Sequence, residues 1–231
     1  MHGCRVSWRP MPGIGERSAE RSGPGCSVAE LEEAMARYNL ISSPTAYGSV
    51  EGTAGTDLIY KVDQPGFEYD FLSIYSRGGD DVVVGADRLN RINTGDGDDW
   101  VWGGQSTDLI ELGAGNDTAL GGGGNDVLIG GTGYDLLAGG EGADTFVFSP
   151  SSGLEPATRT TILDFEDGDA ISIADPAIGM DDLMSAASVE GDSVVFSFAG
   201  SQSGAPSELR IENASLEDVL HSVELYDDVF A

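Results

Sequence analysis

An Asp or Asn stands at every ninth position through the middle of the chain: Asp81, Asn90, Asp99, Asp108, Asp117, Asp126, Asp135 and Asp144. Carboxylates stacked at strand spacing repel one another. A hard cation that takes roughly six to eight oxygen ligands from carboxylates and backbone carbonyls removes that repulsion, and calcium tolerates irregular coordination better than magnesium. The pattern therefore points to stacked divalent-cation sites. A further acid, Asp57, sits in a similar setting 24 residues before Asp81, so an insertion around residues 61–66 must intervene.

The elements that position these residues follow from the nonads SRGGDDVVV, GADRLNRIN, TGDGDDWVW, GGQSTDLIE, LGAGNDTAL, GGGGNDVLI, GGTGYDLLA and GGEGADTFV, which fill residues 76–147 without a gap. Position six carries the acid. Position eight is apolar every time: Val83, Ile92, Val101, Ile110, Ala119, Leu128, Leu137 and Phe146. Glycines at positions one, two and four permit positive φ and close backbone approach, so the first six residues form a tight loop. The last three make a short strand that sends only its middle side chain inward. Two nonads then form one turn of a flattened roll, and equivalent loops recur every 18 residues. Asp81, Asp99, Asp117 and Asp135 stack along one edge, and Asn90, Asp108, Asp126 and Asp144 along the other.

About five cations fit, between the pairs 81/99, 99/117, 117/135, 108/126 and 126/144. The 90/108 pair is the weak one, because its nonad has lost two glycines and carries a neutral amide. A disordered Gly/Asp linker would have no reason to place an apolar residue two positions after each of these residues. The segment GTAGTDLIY at 52–60 matches the nonad out of phase, and FEYDFLSIY regains register through Ile74 without an acid at position six.

The nonad G-G-x-G-x-D-x-U-x resembles the RTX (repeats-in-toxin), or hemolysin-type calcium-binding, repeat. After the last nonad, GGEGADTFVF followed by TTILDFEDGDAISI resembles the exit from such a roll into the C-terminal region of serralysin-type secreted proteins. The resemblance implies an all-β fold: a parallel β-roll of these nonapeptides followed by an antiparallel β cap, with a short N-terminal helix added by the residues themselves. In that family an apolar strand containing D-F precedes a G-D turn and a second strand, here Ile162 to Phe165, Gly168-Asp169 and Ile171 to Ile173. Alternating runs at Ser193 to Phe198 and Glu208 to Ile211 read as further antiparallel strands. The terminal Asp228-Val229-Phe230-Ala231 is similar to the uncleaved serralysin export signal, which implies a type I secretion apparatus as partner and an extracellular location.

Composition agrees. The formal charge is −29, and residues 1–40 contribute nothing to it, since five Arg balance five Glu. Such a chain repels nucleic acid and anionic membrane surfaces. The core holds one apolar side chain per nonad, so metal must supply much of the stability. Calcium at ten times its dissociation constant contributes about 1.4 kcal/mol per site, or about 7 kcal/mol over five, against about 5–15 kcal/mol for an ordinary domain.

Three regions are expected: 1–46, loose with one short helix; 47–148, the roll; and 149–231, the cap. Residues 1–25 hold no apolar run of the kind a secretory signal or anchor needs. Ser27 to Glu30 reads as a capping box, with Val28, Leu31, Met35 and Tyr38 on one face of a helix ending near Leu40. That helix is either a plug over the open end of the roll or a fragment of a lost upstream domain. Cys4 and Cys26 have no evident pairing.

An enzymatic reading finds little support. The only histidines are His2 and His221, so no H-E-x-x-H helix exists, and no G-x-S-x-G elbow occurs. His221 reads as a surface residue of the cap. DFEDGDAISIAD is like an EF-hand loop only superficially, with Gly168 one position early and Asp175 in place of the bidentate Glu, so a roll-to-cap turn fits better. Trp100 and Trp102 flank Val101 and should point outward, to pack under a neighbouring segment or to stack on a polysaccharide or cell-surface ligand. The alternatives to a free-standing calcium-binding protein are thus a polysaccharide-binding accessory module, resembling the R-modules of alginate epimerases, and the C-terminal part of a larger secreted hydrolase.

Overall fold

The computed structural model describes residues 5–10, 17–22, 39–41, 49–60, 71–150, 158–198 and 207–225. Alternation of buried and outward residues, set by the position-eight pattern, builds two stacked faces of parallel strands. One face holds β3 (Asn39–Ile41), β5 (Asp57–Tyr60), β7 (Val82–Val84), β9 (Trp100–Gly104) and β11 (Thr118–Gly123). The other holds β4 (Ser49–Glu51), β6 (Phe71–Tyr75), β8 (Leu89–Asp96) and β10 (Leu109–Gly115). The long β12 (Val127–Glu141) pairs with β10 through its first residues and with β11 through its last, passing from one face to the other. Strands on a face are offset by one turn, so Ile92 pairs with Ile110 and Ile110 with Leu128, while Val101 pairs with Ala119 and Ala119 with Leu137.

All eight position-eight residues are at most 2% exposed and form one continuous core, joined by Ile59 and Ile74 from the out-of-phase segments. Glycine is required where turns touch. At Gly131 (φ 98°) and Gly133 (φ 119°), a Cβ would strike the carbonyls of Gly113 and Gly115 one turn before.

The roll does not end at residue 148. β13 (Thr145–Phe148) is followed by β14 (Arg159–Ile162) and β15 (Ala170–Ile173), which pair in parallel with β12 and β13. β18 (Ser207–Ile211) and β19 (Val223–Leu225) add a further parallel turn onto β14 and β15. The expected antiparallel pairing is present between β17 (Ser193–Phe198) and β18, and β16 (Ala187–Glu190) adds a further antiparallel strand onto β17. The D-F dipeptide lies just after β14 rather than within a strand. Helices α1 (Met180–Ala186) and α2 (Leu216–Ser222) bury Leu183 and Val219 against this end, where Phe146, Phe148 and Phe196 enlarge the core. His221 is exposed on α2, as expected.

Two expectations at the N-terminus need correction. β1 (Arg5–Pro10) and β2 (Arg17–Ser22) pair as an antiparallel hairpin where loose chain was expected. Asn39–Ile41 is a strand rather than the end of a helix, because its backbone pairs in parallel with Asp57–Ile59 and opens the roll one turn early. The remainder of the expected helix, both cysteines, the insertion at 61–66 and the terminal Asp228–Ala231 fall outside the described residues.

Candidate metal centre

Each position-six residue immediately precedes the paired strand residues of its nonad, so the parallel register that stacks the strands also stacks these side chains. Asp57, Asp81, Asp99, Asp117 and Asp135 line one edge, and Asn90, Asp108, Asp126 and Asp144 the other; all nine are at most 3% exposed. A ladder of bonds joins them. The backbone N–H of each donates to Oδ1 of the next Asp one turn on: Asp57 to Asp81 at 2.7 Å, Asp81 to Asp99 at 2.8 Å, Asp99 to Asp117 at 2.8 Å and Asp117 to Asp135 at 3.3 Å. On the second edge Asn90 donates to Asp108 at 2.7 Å, Asp108 to Asp126 at 2.7 Å and Asp126 to Asp144 at 2.8 Å.

The second carboxylate oxygen is left over. Oδ2 of Asp81, Asp99, Asp108, Asp117, Asp126, Asp135 and Asp144 is buried and has no hydrogen-bond partner. A buried polar atom without a partner costs about 1–3 kcal/mol, and more when charged. Burial is accordingly the largest influence on these acids. It pushes Asp81, Asp108, Asp117 and Asp126 up to about 7 and Asp135 to about 6, against an ordinary 3.8, although the N–H of the preceding turn pulls the other way. Asp99 and Asp144 are raised for the same reason, with neighbouring carboxylates adding to the effect.

Asn90 reveals what surrounds that orphaned oxygen. Its Nδ2 donates to the carbonyls of Ala86 (2.9 Å), Arg88 (2.7 Å) and Gly103 (3.1 Å) and to Asp108 Oδ1 (2.8 Å). Two protons thus face four oxygens from two successive loops. The same cradle recurs at Asp108: a Cβ added at Gly103 would meet Asp108 Oδ2 and lie 2.6 Å from the Gly121 carbonyl oxygen. At Gly121 it would meet Asp126 Oδ2 and lie 2.7 Å from the Gly139 carbonyl. Where Asn supplies a donor, Asp adds one more acceptor to a cage of acceptors. A cation or a proton relieves that arrangement.

Oxygen-only cages built from carboxylates and carbonyls match calcium chemistry. Among the described residues no three acidic, His or Cys side chains converge on one point, so the carboxylates can act only together with backbone carbonyls. Asp57 differs from the other acids. Its Oδ2 accepts the Thr53 N–H at 2.5 Å and its Oδ1 the Thr53 hydroxyl at 3.1 Å, so its own loop satisfies it.

Sequence reasoning missed two features. Asp169, 5% exposed, extends the second edge by accepting the Asp144 N–H at 2.9 Å. Position five forms an outer, exposed ladder of opposite sense, with the Asp98 N–H donating back to Asp80 Oδ1 (3.1 Å) and the Asn116 N–H to Asp98 Oδ1 (2.8 Å). Trp100 and Trp102 stand half-buried on the outer side of β9, flanking the fully buried Val101.

Parallel turns with acids stacked on both edges define the RTX class of calcium-binding β-rolls. The family model described as peptidase M10 serralysin C terminal matches residues 71–223, and the chain belongs to that family. It is similar to the AlgE6R3 subunit of the Azotobacter vinelandii mannuronan C5-epimerase, at 28% identity over 55% of this chain and 77% of that one, with a TM-score of 0.43. It is also similar to the extracellular lipase LipA of Serratia marcescens, at 17% identity over 78% of this chain and 40% of that one, with a TM-score of 0.37. No curated protein matches the chain significantly.

Proposed function

We propose that this chain is a secreted calcium-binding protein whose roll folds as ions enter the cages beside Asp81, Asp99, Asp117, Asp108 and Asp126. The observation that carries the reading is the repeated, buried and unpartnered Oδ2. An ordinary core does not hold such an atom seven times over, since each one costs stability while it has no partner. Asp135 and Asp144 complete the pairs 117/135 and 126/144 through Oδ1, whereas Asp57 and Asn90 line the edges without needing an ion. The test is calcium titration by calorimetry and far-UV circular dichroism. Chelator should give mostly coil, with a cooperative change to β signal at about 10⁻⁴ to 10⁻³ M calcium, the range of extracellular modules. Full β signal in chelator overturns the reading.

Export by a type I apparatus follows from the same chemistry. Calcium is scarce inside cells, so the chain reaches an exporter unfolded and folds outside, where ion binding opposes its return. Deleting Asp228 to Ala231 should abolish secretion from a type I host while leaving calcium binding by the roll intact. Normal secretion of the truncated chain would remove this part of the reading.

A further inference from the structure

The two edges differ at position one of the nonad. On the second edge it is glycine in every nonad, at Gly85, Gly103, Gly121 and Gly139. On the first edge Ser76, Thr94 and Leu112 open the loops of Asp81, Asp99 and Asp117, and glycine returns only at Gly130. The glycines leave room for the acid. A Cβ at Gly130 would lie 2.5 Å from Asp135 Oδ2, and at Gly103, Gly121 and Gly139 it would come closer still to the Oδ2 of Asp108, Asp126 and Asp144. In a glycine loop the unpartnered oxygen therefore occupies the space that a side chain would take.

Ser76, Thr94 and Leu112 fill that space, and all three are 0% exposed. Real Cβ atoms do not come within 3.0 Å of such an oxygen, so Oδ2 of Asp81, Asp99 and Asp117 cannot sit where it sits in a glycine loop. It remains buried and unpartnered, pressed instead toward the interior of the cage. The side chains that displace it are themselves fixed. The Ser76 hydroxyl donates to the Thr94 carbonyl at 3.1 Å and the Thr94 hydroxyl to the Leu112 carbonyl at 2.7 Å, while Leu112 belongs to the continuous core. The cages beside Asp81, Asp99 and Asp117 are thus narrower than those beside Asp108 and Asp126, and they cannot widen by turning a side chain outward.

Selection among divalent cations depends on cavity size, ligand number and ligand flexibility. We infer that position one sets the size of cation each cage accepts: the first-edge cages behind Ser76, Thr94 and Leu112 take calcium and reject larger divalent ions, whereas the glycine cages of the second edge take both. This selectivity rests on the calcium reading of the roll. It makes Ser76, Thr94 and Leu112 positioning residues that act through the neighbouring carboxylates.

The test challenges the calcium-loaded full chain with excess barium, a larger ion of the same charge, and reads the metals held by the folded chain by native mass spectrometry. The cages beside Asp108 and Asp126 should exchange calcium for barium, and those beside Asp81, Asp99 and Asp117 should keep calcium. Thr94→Gly opens the cage beside Asp99 and should exchange one ion more than the parent. Thr94→Val keeps the bulk, removes only the hydroxyl and should behave as the parent does. Should Thr94→Gly fail to fold, Ser76→Gly makes the same test beside Asp81. A parent that exchanges every ion or none, a glycine variant that exchanges no more than the parent, or a Thr94→Val that matches Thr94→Gly would overturn size selection and leave the calcium reading standing. A parent that binds no calcium overturns the reading of the whole roll.

Discussion

The loops of Asn90 and Asp108 are successive turns of one edge, equally buried and joined by the same backbone bond, yet they solve one electrostatic problem in opposite ways. Asn90 fills its oxygen cage with its own amide donors, whereas Asp108 leaves Oδ2 unpartnered in the equivalent cage. Asp57 is a third solution, a carboxylate satisfied by Thr53 within its own loop. The loops of Asp57 and Asn90 are thus complete in their hydrogen bonding, whereas those of the other seven acids are not. At the other end of the roll, Phe146, Phe148 and Phe196 replace the thin core of the repeats. The unpartnered oxygens lie in the Asp-bearing turns between these two ends.

The largest effect should come from acids that line two cages. Asp117 offers Oδ1 to the preceding turn and Oδ2 to the following one, whereas the cage before Asp81 is already closed by Thr53. Asp117→Ala should lose two ions and Asp81→Ala one, counted by calorimetric stoichiometry. Asp126→Ala should resemble Asp117→Ala. Equal losses at Asp81 and Asp117 would mean that the ions are not shared between turns.

Protons offer a graded test, because a proton on Oδ2 supplies the donor that the cage lacks. The raised carboxyls, about 7 for Asp81, Asp108, Asp117 and Asp126, make the folded, metal-free chain bind more protons than the unfolded chain between about pH 4 and pH 7. Its stability is therefore highest below that window and falls as pH rises through it. In chelator, β signal should be greater at pH 5 than at pH 8. With calcium the order inverts, since the ion must displace those protons and its apparent affinity weakens below about pH 7. A metal-free signal that strengthens with rising pH would break the comparison.

Period and residue type made the edges legible: the eight position-six residues from Asp81 to Asp144 lie in the two stacks because a nine-residue repeat leaves the register no freedom, and Asp57 joins the first stack across a 24-residue spacing. The rest was hidden for separate reasons. Asp169 keeps the position-six and position-eight signature, but 25-residue spacing and a glycine at position five disguise it. β18 and β19 continue the roll from across a hairpin and two helices, a pairing that no local pattern encodes. The outer ladder mixes Asp80, Asp98 and Asn116 with Tyr134, which joins it only through its backbone N–H. Asn90 was visible as a departure from the repeat. Its consequence depended on the carbonyls of Ala86, Arg88 and Gly103, which sequence alone does not aim.

The smallest and most direct test converts one kind of loop into the other. Asn90→Asp changes a single atom, removing the donors to the Gly103 carbonyl and Asp108 Oδ1 and placing an unpartnered oxygen among them. Without calcium the variant should be less stable by about 1–3 kcal/mol, the cost of a buried unsatisfied polar group, read from urea unfolding at a pH where the new acid is ionised. With calcium it should bind one ion more than the parent, because its cage now matches that of Asp108. The missing glycine at position four, where Arg88 stands, is a backbone difference that the change leaves in place. A gain of one ion would mean that the side-chain atom alone governs occupancy. Destabilisation with no gain would assign that control to the loop's glycines instead.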